Sequence, residues 1–350
     1  MDESDALEGW ESLCREVGSP FHTAAFCSVV QRHWPGADQA RHVVVNNGGI
    51  CQAVVPGFLY GACPRLDYYR ANVVPALAGE IIGSHALVGW LGGPIARHGA
   101  ALIEALEIHL DLCRDNNAMS FLFGIDGRAH HLLQELAGIG YRLGRLQTNM
   151  VLDIHPDHAI DPVTRLKRKE RAERRRVMRR ADEAGLRLRI VTPSQAVPLA
   201  ELIRSGVSPS NDQRDILPAT FLRGVLQADL PGMEVLLAVT PNDEVAAIAL
   251  NFRWRETYYL WLSGNRKDLA KPFYPSDFLY QHAIRRAANL GITEIQGGRS
   301  PYPIKLAYGF RGVPIMCAIH PLAAISQTAV DGWIAAQTAR HLATYPEIGL

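Results

Sequence analysis

The chain has 350 residues, 48% of them hydrophobic and 20% charged, with a formal net charge of +1. That is the composition of an ordinary soluble globular protein, long enough for two domains that each bury a core. No apolar run approaches the roughly 20 residues that span a bilayer, and the acidic start MDESDALEGW lacks the basic-then-apolar pattern of a signal peptide. A cytoplasmic protein without a transmembrane segment is expected.

DALEGWESLCREV reads as an opening helix, and after the turn at Gly18-Ser19-Pro20 a second helical segment ends at Pro35. Two β-rich runs flank Asn46-Asn47-Gly48-Gly49, a hairpin signal. ALVGWLGG is a short strand candidate. HGAALIEALEIHLDLCRDNN is an amphipathic helix with Leu102, Ala105, Leu106 and His109 on one side. AMSFLFGI reads as a strand, and the segment after it gives a helix, a glycine stop and a closing strand.

A dense basic stretch follows the seam expected near Pro156 to Pro162. From Arg165 to Arg180 it holds ten Lys/Arg and two Glu. Subtracting these from the chain's 36 basic and 35 acidic residues leaves 26 against 33, so the positive charge is concentrated here. Val163, Leu166, Val177, Ala181 and Ala184 would share one helical face. The other faces are cationic, which suits either a solvated surface or contact with a phosphate backbone.

The second half repeats the order of the first. Two helices (SQAVPLAELIRSGV and FLRGVLQADL) precede a hairpin turning at Pro241-Asn242-Asp243 and a strand, ETYYLWLSG. Next come a helix with Ser276 as its expected N-cap and Gly291 as its stop, the strand TEIQGG, and a short helix in IKLAYGF. SPSNDQRDILP is polar and turn-rich, either a substrate loop or a plain connection.

The hairpin-strand-helix-strand-helix order, the strand YYLWLSG, the helix DFLYQHAIRRAANLGI and the closing IQGGRSPYPIKLAYGF together resemble the FemAB-like and BioF2-like branch of GNAT acyltransferases. The resemblance implies an α/β (α+β) fold of two tandem GNAT-like units, each a mixed, mainly antiparallel sheet flanked by helices. The expected boundaries are 1–155 for the N-terminal unit, 156–185 for the basic helix, 186–325 for the catalytic unit and 326–350 for a C-terminal helix and tail. Gln296 stands where many relatives carry an acidic residue, and the R/Q-x-x-G-x-G/A loop that grips the pyrophosphate of acyl-CoA is not found.

The resemblance implies an N-acyltransferase that forms an amide bond, with aminoacyl-tRNA as donor and a small-molecule amine or a peptidoglycan precursor as acceptor. Natural-product assembly, including antibiotic biosynthesis, is as open as cell-wall building. An acyl-CoA or acyl-carrier-protein donor is one alternative, and a non-catalytic RNA-binding module is another. No cofactor is expected.

Lys305, set among Tyr302, Tyr308 and Phe310, is the catalytic candidate. Its ammonium would stabilise the oxyanion formed when an amine attacks an ester or thioester carbonyl, the plainer alternative being a surface lysine on a short helix. Tyr259, Ser263, Asn265, Arg299, Ser300, Tyr302 and Tyr308 are the substrate-binding candidates, and Arg168, Lys169, Arg175 and Arg176 the donor-binding ones. Six cysteines form no C-x-x-C pair and read as buried thiols, so no metal is expected. No G-x-S-x-G elbow, paired acids, P-loop or Rossmann fingerprint points to another chemistry.

Overall fold

The computed structural model describes residues 3–37, 39–60, 80–84, 89–207, 217–299, 301–321 and 326–348. It divides into two units, one of residues 1–149 with 313–350 and one of residues 150–312.

The first unit opens with helices α1 (Glu3–Val17) and α2 (Ala24–His33) and a short strand β1 (Gln39–Ala40). The hairpin β2 (Val43–Asn47) and β3 (Ile50–Val55) turns at Gly48 and Gly49, both at positive φ. Short strands β4 (Phe58–Tyr60), β5 (Ile81–Gly83) and β6 (Ile95–Ala96) lead into helix α3 (Gly99–Asp115). Within ALVGWLGG, residues 89–93 form no strand, and the remainder lies outside the described residues. Strand β7 (Met119–Asp126), helix α4 (His130–Gly138) and strand β8 (Arg142–Asp153) follow. The apolar side of α3 buries Leu102, Ala105, Leu106 and Leu110 against Val43, Val45 and Leu122, as its helical spacing predicts.

The second unit begins inside β8. It continues with the basic helix α5 (Arg168–Glu183), strand β9 (Arg187–Val191), and helices α6 (Ala200–Val207) and α7 (Ala219–Gln227). The antiparallel strands β10 (Met233–Val239), β11 (Val245–Trp254) and β12 (Thr257–Asn265) come next. Helices α8 (Lys267–Phe273) and α9 (Pro275–Asn289), strand β13 (Glu294–Gly298) and helix α10 (Tyr302–Ala307) complete it. Most of SPSNDQRDILP lies outside the described residues.

The order of strands in this unit is β8-β13-β12-β11-β10-β9. The β12–β13 pairing is parallel, and the other pairings are antiparallel. In the first unit the order is β1-β4-β5-β7-β14-β8, where β14 is Arg311–His320, and a separate sheet has the order β2-β3-β6. Helix α11 (Gln327–Thr344) ends the first unit. In each unit these strands pair in a mixed, mainly antiparallel way, with helices in the same unit, as the fold expectation holds.

Two local expectations are corrected. Residues 313–320 do not stay with the second unit, because β14 pairs antiparallel with β7 from Ile315 opposite Asp126 to His320 opposite Ser120. Helix α11 is fastened to the same unit: Arg142 forks onto Asp331 at 2.7 and 2.6 Å, and Trp333 meets Phe121 edge-on at 5.9 Å. The cap of α9 is also displaced. Ser276 lies inside the helix, because Tyr274 adopts the left-handed conformation (φ 48°) as N-cap and Pro275 supplies a preset first turn. Gly291 does end the helix, at φ 69°.

Candidate active site

The region around Lys305 is built by a strand pair that parts early. β12 and β13 pair only over Thr257–Tyr259 and Glu294–Gln296, with Tyr259 opposite Gln296 as the last rung. Beyond it, Leu260–Asn265 continue along β11. A register shift flanks the parting point on each side. On β12, Leu250 faces Leu262 and Asn251 faces Leu260, so Trp261 is the extra residue of a bulge. On β13, Gln296 faces Val151 and Gly298 faces Met150, so Gly297 is skipped. Gly297 has no room for a side chain, since a Cβ there would sit 2.8 Å from a Phe310 ring carbon.

After this bulge the chain turns into α10, and Lys305 projects back across the turn. Its side chain is only 2% exposed, and its Nζ donates to the carbonyl oxygens of Gly298 (3.4 Å) and Arg299. Burial, reinforced by the Arg299 charge, lowers the amine from 10.5 to about 7. The reading of Lys305 as a surface residue is therefore excluded. Near neutral pH the group exchanges between ammonium and amine.

The far end of α10 is held by a polar cluster. Tyr308, also buried, donates from its hydroxyl to Asp277 Oδ1 at 2.9 Å. Arg174 of the basic helix forms an ion pair with the same oxygen and lies 5.4 Å over the Tyr308 ring. Gln281 donates to the Arg174 carbonyl (3.0 Å) and to the Tyr308 hydroxyl (3.3 Å), and Tyr280 stacks on Tyr308 at 5.6 Å. Burial, then the Asp277 charge, pushes the Tyr308 phenol well up, so it stays neutral and donating. Sequence reading missed Arg174, Asp277 and Gln281, since the partners of Asp277 lie 103 and 31 positions away along the chain.

The remaining candidates divide. Tyr259 (5% exposed) and Tyr302 (1%) are packed inside, whereas Ser263 is exposed, and Ser263 and Asn265 both lie on the stretch of β12 released from β13. Tyr258, Tyr259 and Trp261 are all buried. Arg299 adjoins the Lys305 turn, while Ser300 lies outside the described residues.

Of the donor candidates, Arg168 and Lys169 are exposed. Arg175 is paired with Asp161 (Nε–Oδ2 3.2 Å) and Arg176 with Glu173 (2.9 and 2.6 Å). Arg165 also faces Asp157 at 3.5 Å, so acids outside the basic run neutralise part of it. In the first unit a Ser–His pair does exist, with His109 Nε2 2.9 Å from Ser120 Oγ. Both residues are fully buried, and burial lowers His109 to about 4, which makes the pair a core contact rather than a nucleophile. Among the described residues no three His, Cys, Asp or Glu side chains gather as metal ligands would, and no helix is long and apolar enough to cross a membrane.

A parallel strand pair that parts after three rungs beside a bulged neighbour, with helices α9 and α10 alternating with β13, is the arrangement of a GNAT acyltransferase. Residues 168–306 match the family model described as the acetyltransferase (GNAT) domain. Solved structures share the fold. FemX superposes with a TM-score of 0.64 at 12% identity, covering 93% of this chain and 97% of that one. The C-terminal domain of an Agrobacterium fabrum protein described as a lysylphosphatidylglycerol synthetase gives 0.61 at 14%, covering 97% and 98%. L-PGS from Bacillus licheniformis gives 0.58 at 14%, covering 95% and 96%. At such identities the likeness is one of fold. No curated protein matches the sequence.

Proposed function

We propose that the second unit transfers an aminoacyl group from aminoacyl-tRNA to an amine, forming an amide in the cytoplasm, with Lys305 stabilising the oxyanion. The observation that carries this reading is the buried Lys305 of α10, whose Nζ reaches back to the carbonyl of Gly298 at the end of β13, just beyond the point where that strand parts from β12. An ammonium has three N–H donors. Two are met by the Gly298 and Arg299 carbonyls, which leaves the third for developing negative charge. The acceptor amine adds to the ester carbonyl of the donor. Collapse of the tetrahedral intermediate forms the C–N bond, breaks the C–O bond to the ribose, and passes one proton from the amine to the departing ribose hydroxyl. Burial near a pKa of about 7 suits this role, because the ammonium gains most where the oxyanion replaces lost hydration.

The tRNA donor is supported by the exposed Arg168 and Lys169 on α5 and by the missing acyl-CoA pyrophosphate loop. The name of one neighbour specifies a lysylphosphatidylglycerol synthetase, so hydroxyl acceptors belong in the assay beside amines and peptidoglycan precursors. The test incubates the enzyme with an acceptor panel and either charged tRNA or acyl-CoA, with and without ribonuclease, and reads products by mass spectrometry. Ribonuclease-sensitive product is expected. Ribonuclease-insensitive product from acyl-CoA defeats the tRNA donor. Lys305→Ala is expected to lower turnover by about 100-fold or more, and parental turnover in that variant removes Lys305 from the chemistry.

A further inference from the structure

Asp277 has no place in the chemistry just described, yet three elements converge on it. Its Oδ1 accepts from the Tyr308 hydroxyl at 2.9 Å and is ion-paired with Arg174 of α5, and Asp277 itself stands in the first turn of α9. The Arg174 and Asp277 side chains are 19% and 16% exposed, so the pair is largely shielded from water. Tyr308 in turn is locked to Lys305, because the Tyr308 and Phe310 amides both donate to the Lys305 carbonyl, at 2.9 and 3.1 Å. One carboxylate oxygen thus reaches the backbone of Lys305 through a single side chain. A helix of six residues, Tyr302–Ala307, has too few internal bonds to hold itself, so its orientation depends on such outside ties.

We propose that Asp277 is a positioning residue for acyl transfer, which through Tyr308 fixes the helix that carries Lys305. The inference rests on the role given to Lys305 above. Asp277 touches no reacting atom. Its carboxylate offers one oxygen to a neutral phenol and a cation together, which an amide replacing it meets poorly. Loosening this tie lets α10 shift and water reach the lysine. The charged and titratable groups around the turn are Arg299 beside Lys305, and Arg174, Asp277, Tyr280 and Tyr308 at its far end.

The test compares Asp277→Asn and Tyr308→Phe with the parent. The first measurement is pH-dependent modification of Lys305 by an amine-reactive anhydride, quantified by mass spectrometry of its peptide. It needs neither donor nor acceptor. The Lys305 pKa is expected to rise by more than about one unit from its value near 7 toward the ordinary 10.5, as water returns to the ammonium. The second measurement is steady-state kinetics. A fall in kcat of about 10- to 100-fold is expected, with KM changed much less, because a displaced catalytic group costs the transition state rather than binding. Tyr308→Phe keeps the ring and the Arg174–Asp277 pair, so it carries the test if the asparagine variant fails to fold. An unshifted Lys305 titration together with parental kcat in Tyr308→Phe overturns the proposal. If Lys305→Ala is itself fully active, the role of Lys305 fails instead, and the labelling result still decides whether Asp277 positions the helix.

Discussion

Replacing Lys305 by Met removes a buried titratable amine while keeping an unbranched chain of similar length. In the folded protein the amine sits at about 7, and in the unfolded chain at the ordinary 10.5. Between those values the unfolded chain binds more protons than the folded one, so stability rises with pH across that window. Below about pH 7 both states are protonated and the penalty is constant. With roughly 1.36 kcal/mol per pKa unit, the penalty is about 5 kcal/mol at pH 6, and about 1.5 kcal/mol remains at pH 9.5. The variant lacks this dependence. Its stability relative to the parent is therefore expected to be about 3 kcal/mol more favourable at pH 6 than at pH 9.5. The constant cost of losing the bonds to Gly298 and Arg299 cancels in that difference. Urea unfolding of both proteins at the two pH values, followed by fluorescence, measures it. Parallel pH dependences in parent and variant would refute the reasoning, because they mean that the amine keeps its hydration and titrates as in the unfolded chain.

The same titration predicts a descending limb in kcat/KM near pH 7 as Lys305 loses its proton, since this ratio reports the free enzyme. A profile that only rises between pH 6 and 9 would make Lys305 a base. Gly264→Ala would place a Cβ 2.1 Å from the Leu202 carbonyl oxygen, where α6 lies backbone to backbone on β12. A loss of about 3 kcal/mol or more in urea unfolding is expected, and a parent-like midpoint would show that α6 can move off the strand. Changing Arg168, Lys169, Arg175 and Arg176 to Gln should flatten the slope of log donor affinity against log salt by about two units rather than four, because Arg175 and Arg176 already serve Asp161 and Glu173. Unchanged affinity and slope at low salt would identify α5 as a solvated surface.

Where local chemistry decides structure, the sequence was readable. Paired glycines turned the first hairpin, and Gly291 stopped α9, because few residues tolerate those backbone angles. Lys305 stood out as one ammonium among aromatics, and its burial follows from that company. What escaped reading depends on partners distant in the chain. RGVPIMCAIH carries Pro314, which speaks against an inner strand, yet the pairing with β7 begins one residue later, at Ile315. Asp277 went unnoticed because nothing near it in sequence marks Arg174 or Tyr308 as neighbours. Tyr274 took the N-cap from Ser276 through a strained backbone angle that no propensity favours.

The late return of β14 to the first unit bears on how the chain acquires its shape during synthesis. β7 leaves the ribosome by residue 126, but the strand that covers its edge is not made until residues 315–320. For some 190 residues of translation, an exposed and largely apolar strand edge waits for its partner. Meanwhile residues 150–312 have been made and can close on themselves. A nascent chain stalled near residue 312 would thus present one finished unit and one adhesive one. Removing the last 38 residues would abolish the first unit rather than shorten a tail.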